Sequence, residues 1–306
     1  MHGLQSLLIV GGAVLPLLLE LIPTLALGLA IGMRWPLLPG ALAQPLVRFG
    51  IPLSVAALLL RSGLNRDFLQ AGALALLLIA ALMLLLQRWP RLLPSGVLQL
   101  GAVTGNTTYF GIPVALALLP PQALGAAIAY DLAGTLLSWT LGPRLVAAAG
   151  QGRRSFRRDL GQSPATHGFL LAFVLQLTPW QAPLAALLWW PARLVLLLAL
   201  LLVGMRLGVM LNQGEIQPGF NWRPLAPALL FKMLLLPLLF AILGRLLALP
   251  AGVADALVLQ AAAPTAISVL LMAEAEGEGV NAAAGLVLIS TAMALITVPL
   301  WWWLLS

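Results

Sequence analysis

From Leu69 to Leu86 no charged side chain appears, and segments of the same kind recur along the whole chain, parted by short charged or Pro/Gly-rich clusters. About 20 mainly apolar residues suffice for a helix to cross the hydrocarbon of a bilayer. A soluble domain is about 25% charged; this chain is 8% charged and 61% hydrophobic. It cannot cover a water-facing surface, so it reads as an integral membrane protein. The net charge of +7 is scattered between apolar runs, which suits orientation of loops on an anionic membrane rather than nucleic-acid binding. Cysteine is absent, which excludes disulfides and a thiolate nucleophile. The opening "MHGLQSLLIVGGAVLP" has no basic n-region and does not read as a cleaved signal peptide.

Breaking the chain at its punctuation gives ten candidate spans. The first ends at Met33; the next four cover about 42–60, 69–86, 96–119 and 123–149. After the basic connection "GQGRRSFRRDLGQSP", five more cover about 165–177, 184–205, 225–247, 253–273 and 282–305. The loops after odd-numbered spans collect Arg34, Arg48, Arg88, Arg91, Arg144, Arg153, Arg154, Arg157, Arg158, Arg206 and Arg223. The other side has only Arg61, Arg66, Arg193 and Arg245. By the positive-inside rule the central loop is cytoplasmic and both termini lie outside. The expected location is the plasma (inner) membrane.

The basic loop, 150–163, divides the chain into 1–149 and 164–306, five spans each. "RFGIPLSVAALLLRSGL" and "RLVLLLALLLVGMRLGV" share the spacing of two arginines and a glycine, offset by 145 residues: Arg48, Arg61, Gly63 and Arg193, Arg206, Gly208. An odd number of spans per half makes the halves opposite in topology, and inverted repeats are typical of secondary transporters.

The fourth span carries "TGNTTYFGIPVAL", Thr104 to Leu116. Pro113 has no N–H and crowds the preceding turn, so backbone groups freed there need a partner in protein or in a wet cavity. Asn106, Thr107, Thr108 and Tyr109 either satisfy them, as at a simple proline kink, or bind a ligand. The ninth span, "VLQAAAPTAISVLLMAEAEG", is interrupted too, with Pro264 flanked by Thr265 and Ser268, 151 residues after Pro113. Paired discontinuous helices at matching positions point to a transporter's binding site, and half-helix N-termini suit an anionic group. The pairing favours the ligand.

"GNTTYFGIPVAL" resembles the fourth-helix signature of the auxin efflux carrier family, an N-T-x-[FY]-x-G-[IL]-P pattern in bacterial members. "YDLAGTLLSWTLGP" resembles its fifth helix, and "APTAISVLLMAEAEGEGVNAAAGLVLISTAMALITVPLWWWLL" its ninth and tenth. The resemblance implies an all-α membrane fold with a scaffold of helices 1, 2, 6 and 7. The transport core would comprise helices 3–5 and 8–10, with broken helices 4 and 9 crossing at Pro113 and Pro264. It further implies a homodimer through the scaffold and a small organic anion, auxin-like or a dicarboxylate, beside Asn106. Two departures stand out: Thr108 replaces a residue often glycine in bacterial members, and the central loop is far shorter than in plant carriers.

Ionisable groups inside a membrane are functional candidates by default. Asp131, in the first part of the fifth span, is either a proton-coupling carboxylate or a hydrogen-bonded brace. Lys232 either supplies charge to the core or snorkels to the cytoplasmic interface. Glu20 is interfacial or buried according to where the first span starts. Glu274, Glu276 and Glu278 read as a solvated loop, not a metal site, and His2 and His167 are isolated. Trp301, Trp302 and Trp303 fit an aromatic belt. No H-E-x-x-H, G-x-S-x-G or Walker A sequence appears, which argues against an enzyme, and no cofactor or metal is expected. The leading expectation is a secondary carrier working by alternating access. The alternatives are a sodium-coupled carrier of the bile-acid-symporter type and a non-transporting sensor of the same fold; proton or sodium coupling stays open.

Overall fold

A computed structural model describes residues 22–146, 164–212 and 221–305. The basic loop 150–163, Glu20 and His2 lie outside these residues. The described chain is helical: α1 Ile22–Arg34, α2 Leu38–Ser62, α3 Arg66–Arg88, α4 Gly96–Val103, α5 Thr107–Leu118 and α6 Pro121–Val146. Then follow α7 Pro164–Gln176, α8 Gln181–Leu187, α9 Trp189–Asn212 and α10 Arg223–Leu246. The series closes with α11 Ala251–Ala261, α12 Ile267–Glu276 and α13 Val280–Leu305. Six of these helices (α2, α3, α6, α9, α10 and α13) are long and apolar enough to cross a membrane. Among the described residues no β-strand occurs, only an isolated bridge.

Local chemistry sets the boundaries. Asn65 caps α3 by accepting from the Phe68 amide at 2.9 Å, and Ser95 caps α4 by accepting from Leu98 at 3.3 Å; each satisfies one of the donors a helix start leaves without an intrahelical partner. Gly277, at φ 67°, closes α12 in the left-handed conformation that only glycine adopts cheaply. Three π-turns interrupt the regular winding, at Leu46–Gly50, Thr107–Gly111 and Phe231–Leu235. Each ends two residues before a proline: Pro52, Pro113 and Pro237. The proline ring would strike the carbonyl four residues back, and one extra residue in the turn carries that carbonyl away. The amides of Ile51, Ile112 and Leu236 accordingly bond five residues back, to Leu46, Thr107 and Phe231.

Close helix packing is carried by glycines. A Cβ on Gly28 would lie 2.2 Å from the Leu201 carbonyl oxygen, and one on Gly204 2.3 Å from that of Leu25. Gly32 and Gly208 meet Met205 and Leu29 in the same way. Two glycine pairs spaced four apart thus bring α1 and α9 to backbone contact, the small-residue packing common between membrane helices. The second half of α2 packs on α7 and α9, and α3 packs on α6. Gln176 donates to the Leu59 carbonyl at 3.0 Å, and Gln181 to that of Leu60 at 3.2 Å, so α7 and α8 are tied to the last turn of α2. The arginine–glycine triplet does not mark equivalent helix positions: Gly63 ends α2 at φ 78°, whereas Gly208 lies within α9.

Two corrections concern charge. Arg206, assigned to a loop after Met205, lies inside α9, which continues to Asn212. Lys232 does not snorkel: it is fully buried, at 0% exposure. The π-turn before Pro237 contains it, and it is directed inward.

Candidate functional site

The breaks expected in the fourth and ninth spans are present, and they meet. Thr104–Asn106 separates α4 from α5, and Ala262–Ala266 separates α11 from α12. The two segments run antiparallel through a bridge between Gly105 and Thr265. Asn106 N donates to the Pro264 carbonyl at 2.6 Å, and Ala266 N donates to that of Thr104 at 3.1 Å. Each interruption therefore supplies the backbone partners that the other lost, which hydrocarbon could not provide. Thr265 locks the junction: its amide donates to Ser290 Oγ at 2.9 Å and its hydroxyl to the Gly101 carbonyl at 3.0 Å.

Asp131 stands behind the first interruption, 1% exposed. Its Oδ1 accepts from Thr107 Oγ1 at 2.5 Å and from Thr108 Oγ1 at 2.7 Å, while Oδ2 has no partner among the described residues. The carboxylate thus braces α6 to the π-turn, the geometry of one of its two expected roles. Lys232 Nζ donates to the Ala261 carbonyl at 2.5 Å, at the end of α11.

A cavity of about 260 Å³ opens beside the junction. Asn106, Thr107, Thr108, Tyr109 and Ser268 line it, whereas Pro113, Pro264, Thr265, Asp131 and Lys232 do not. Two wall residues carry buried polar atoms without a partner, Asn106 Nδ2 and Thr104 Oγ1, and such orphans are rare unless something else serves them. Leu202, Val203, Ile267, Leu271 and Trp139 make the rest of the wall largely apolar. Among the described residues Arg206 is the one charged residue on it, and no carboxylate side chain lines the cavity. The fold explains its aim. Gly204 and Gly208 face α1 one turn apart, so Arg206, two residues from each, projects from the opposite side of α9, where that helix meets the Thr107–Gly111 turn.

Residues 153–302 match a family described as membrane transport protein. That stretch, just under half of the chain, is similar to this transporter family. Over 217 residues the chain is also 25% identical to an uncharacterized transporter of Methanocaldococcus jannaschii, covering 69% of this chain and 68% of the relative. With six helices long and apolar enough to span, it is a multi-pass membrane protein with similarity to transporters.

Two residues at the junction were not singled out from sequence. Arg206 was taken for a loop charge; the signal that would have found it is the pair of glycines flanking it at 204 and 208. Gln260 is fully buried, with neither amide atom partnered among the described residues. It packs so tightly on the π-turn that a Cβ on Gly111 would lie 2.1 Å from its Oε1. Its signal was a lone amide in "LVLQAAAP", four residues before Pro264. His167 and the Glu274, Glu276 and Glu278 run are remote from the cavity wall, and no metal-type cluster occurs among the described residues.

Proposed function

We propose that the protein is a secondary carrier for a small organic anion, a carboxylate held in the cavity at the junction of the two interrupted helices. The observation that carries this reading is the wall itself, which among the described residues has a single guanidinium, an Asn106 amide nitrogen without a partner and no carboxylate. A carboxylate meets all three conditions, because it accepts from Asn106 and from a planar arginine fork and meets no like charge. The backbone amides that open α5 and α12 add donors at the positive ends of two helix dipoles. Apolar side chains opposite them leave room for a hydrocarbon body.

In this reading the chain forms ten spans as two inverted five-helix repeats, and the broken helices cross as α4–α5 and α11–α12. A scaffold of helices 1, 2, 6 and 7 corresponds to α1, α2, α7 and α9, and the remainder is the transport core. The cavity lies where they meet, since Arg206 comes from the scaffold and Asn106 from the core. Movement of core against scaffold would then expose the same anion alternately to either side, as in other inverted-repeat carriers. The central loop is cytoplasmic, both termini are outside, the membrane is the plasma (inner) membrane, and the scaffold supports a homodimer.

Purified protein in liposomes tests the proposal through uptake of labelled carboxylates. Saturable uptake that is lost in Asn106→Ala and Arg206→Ala is the expected result. Tight binding of a carboxylate with no flux would instead indicate a sensor built on the same fold. Uptake of organic cations in preference to anions would reject the site as read.

A further inference from the structure

The turn from α10 to α11 encloses a second cavity, which shares no wall residue with the one at the junction. α10, Arg223–Leu246, is long enough to cross a membrane, so Arg245, one residue before its end, stands at a boundary of the bilayer. The chain reverses there. Leu249 N donates to the Gly244 carbonyl at 2.9 Å, Ala248 takes φ 48°, and α11 packs back on α10. A Cβ on Gly244 would lie 3.0 Å from that of Ala254, so the two helices meet closely beside the turn. Leu305, the last residue of α13, also reaches the cavity.

The cavity measures about 350 Å³, a size at which small-molecule sites begin. Arg245 and Asp255 both line it, one from each helix. Among the described residues neither side chain has a hydrogen-bond or ion-pair partner. Asp255 is half-buried, an unfavourable position for a carboxylate that lacks a donor or a counter-charge. Arg245 is exposed and keeps its charge throughout the physiological pH range. A guanidinium and a carboxyl thus face one space without joining across it, and their signs call for a ligand that carries both. Next to Arg245 and Leu305 in the chain, Leu246, Leu247, Trp303 and Leu304 are exposed, and that surface suits acyl chains and the bilayer interface.

We propose that this cavity holds the headgroup of a zwitterionic phospholipid with a primary ammonium, its phosphate on Arg245 and its ammonium on Asp255. The phosphate accepts from the guanidinium fork, and the ammonium both donates to Asp255 and supplies its counter-charge. A quaternary ammonium has no N–H to donate, and a headgroup without nitrogen brings no positive charge, so the site selects among phospholipids. Once bound, the headgroup ties together the ends of α10, α11 and α13.

Binding is measured without flux, so the proposal stands or falls separately from the carrier reading. The purified full-length protein in detergent is titrated with dioleoyl phosphatidylethanolamine, phosphatidylcholine and phosphatidylglycerol, and bound lipid is counted by native mass spectrometry. Phosphatidylethanolamine is expected to bind about tenfold more tightly than the other two, the value of one hydrogen bond to a charged group. Asp255→Asn should bring it down to the level of phosphatidylcholine, and Arg245→Gln should weaken all three. Ala251→Leu keeps both charges but fills an exposed part of the wall, and it should weaken phosphatidylethanolamine as well. Equal binding of the three lipids by the wild type overturns the proposal, as does a preference that survives Asp255→Asn or Ala251→Leu. Phosphoethanolamine in solution that binds as tightly as the lipid would assign the cavity to a soluble zwitterion and overturn the lipid assignment. Should Asp255→Asn fail to fold, the wild-type comparison and Ala251→Leu still decide.

Discussion

The first interruption places its proline beyond the break, at Pro113, and sets Thr104, Gly105 and Asn106 on the cavity wall; the second puts Pro264 inside the break and brings only Ala266 of its residues to that wall. Asn106, Thr107 and Thr108 come from the first, and Asn106 Nδ2 is left without a partner. Thr265, at the matching point of the second, is fully buried with its amide and hydroxyl both spent on neighbours. The winding differs as well. A π-turn follows the first break, whereas α12 starts directly from Ala266 in extended conformation. A shared helix-breaking device has thus been put to two uses, one interruption offering groups to a ligand and the other holding the junction closed.

That division can be broken by substitution. Asp131→Ala should have the largest effect: it takes from the Thr107 and Thr108 hydroxyls the acceptor they share on the ligand-facing turn, at a cost of roughly 2–4 kcal/mol in stability. A thermal melt and uptake should both register it, and a variant as stable as wild type would remove the brace from the account. Asn106→Ala should lower the uptake efficiency by roughly 10–100-fold, the value of one hydrogen bond to a charged group. Because its amide nitrogen already lacks a partner, its stability should change by less than about 0.5 kcal/mol. Equal losses in both readouts would mean that Asn106 is structural after all.

Gly111→Ala presses on the Gln260 amide and should destabilise by roughly 1–3 kcal/mol. The double variant Gly111→Ala/Gln260→Ala should recover most of that loss in a double-mutant cycle, and additive losses would mean the two do not share that contact. Thr265→Val is expected to be the mildest, costing about 1 kcal/mol by melting while leaving the affinity for the carboxylate unchanged. A larger effect on affinity than on stability would make the two interruptions alike, contrary to the comparison.

Much of this architecture was legible in the chain. The span from 69 to 86 lies within α3, Arg66–Arg88, because continuous apolar character and a capping Asn65 act locally. Both breaks were legible for the same reason, since a proline removes a donor wherever the chain goes. The proline rule also shows its limit: Pro143 and Pro299 lie inside α6 and α13, where no π-turn precedes them. Lys232 was left open between the core and the aqueous boundary, and Arg206 was read as a charge seeking that boundary. In fact the inward turn before Pro237 buries one, and the glycine contacts of α9 with α1 aim the other at the cavity.

The sequence by itself determined that this protein lies in a membrane, roughly where its helices begin and end, and which two of them are interrupted. Those properties follow from hydropathy, caps and proline, each acting within a few residues. Only the tertiary structure decided that the two interruptions pair through Gly105 and Thr265, that Thr107 and Thr108 are tied to Asp131, and that Arg206, Gln260 and Lys232 converge on the junction. These contacts join segments far apart in the chain, and no local preference encodes which buried donor meets which acceptor. Their partners are set by the requirement that every polar group withdrawn from water find another, a condition the chain can meet only once all its helices are in place.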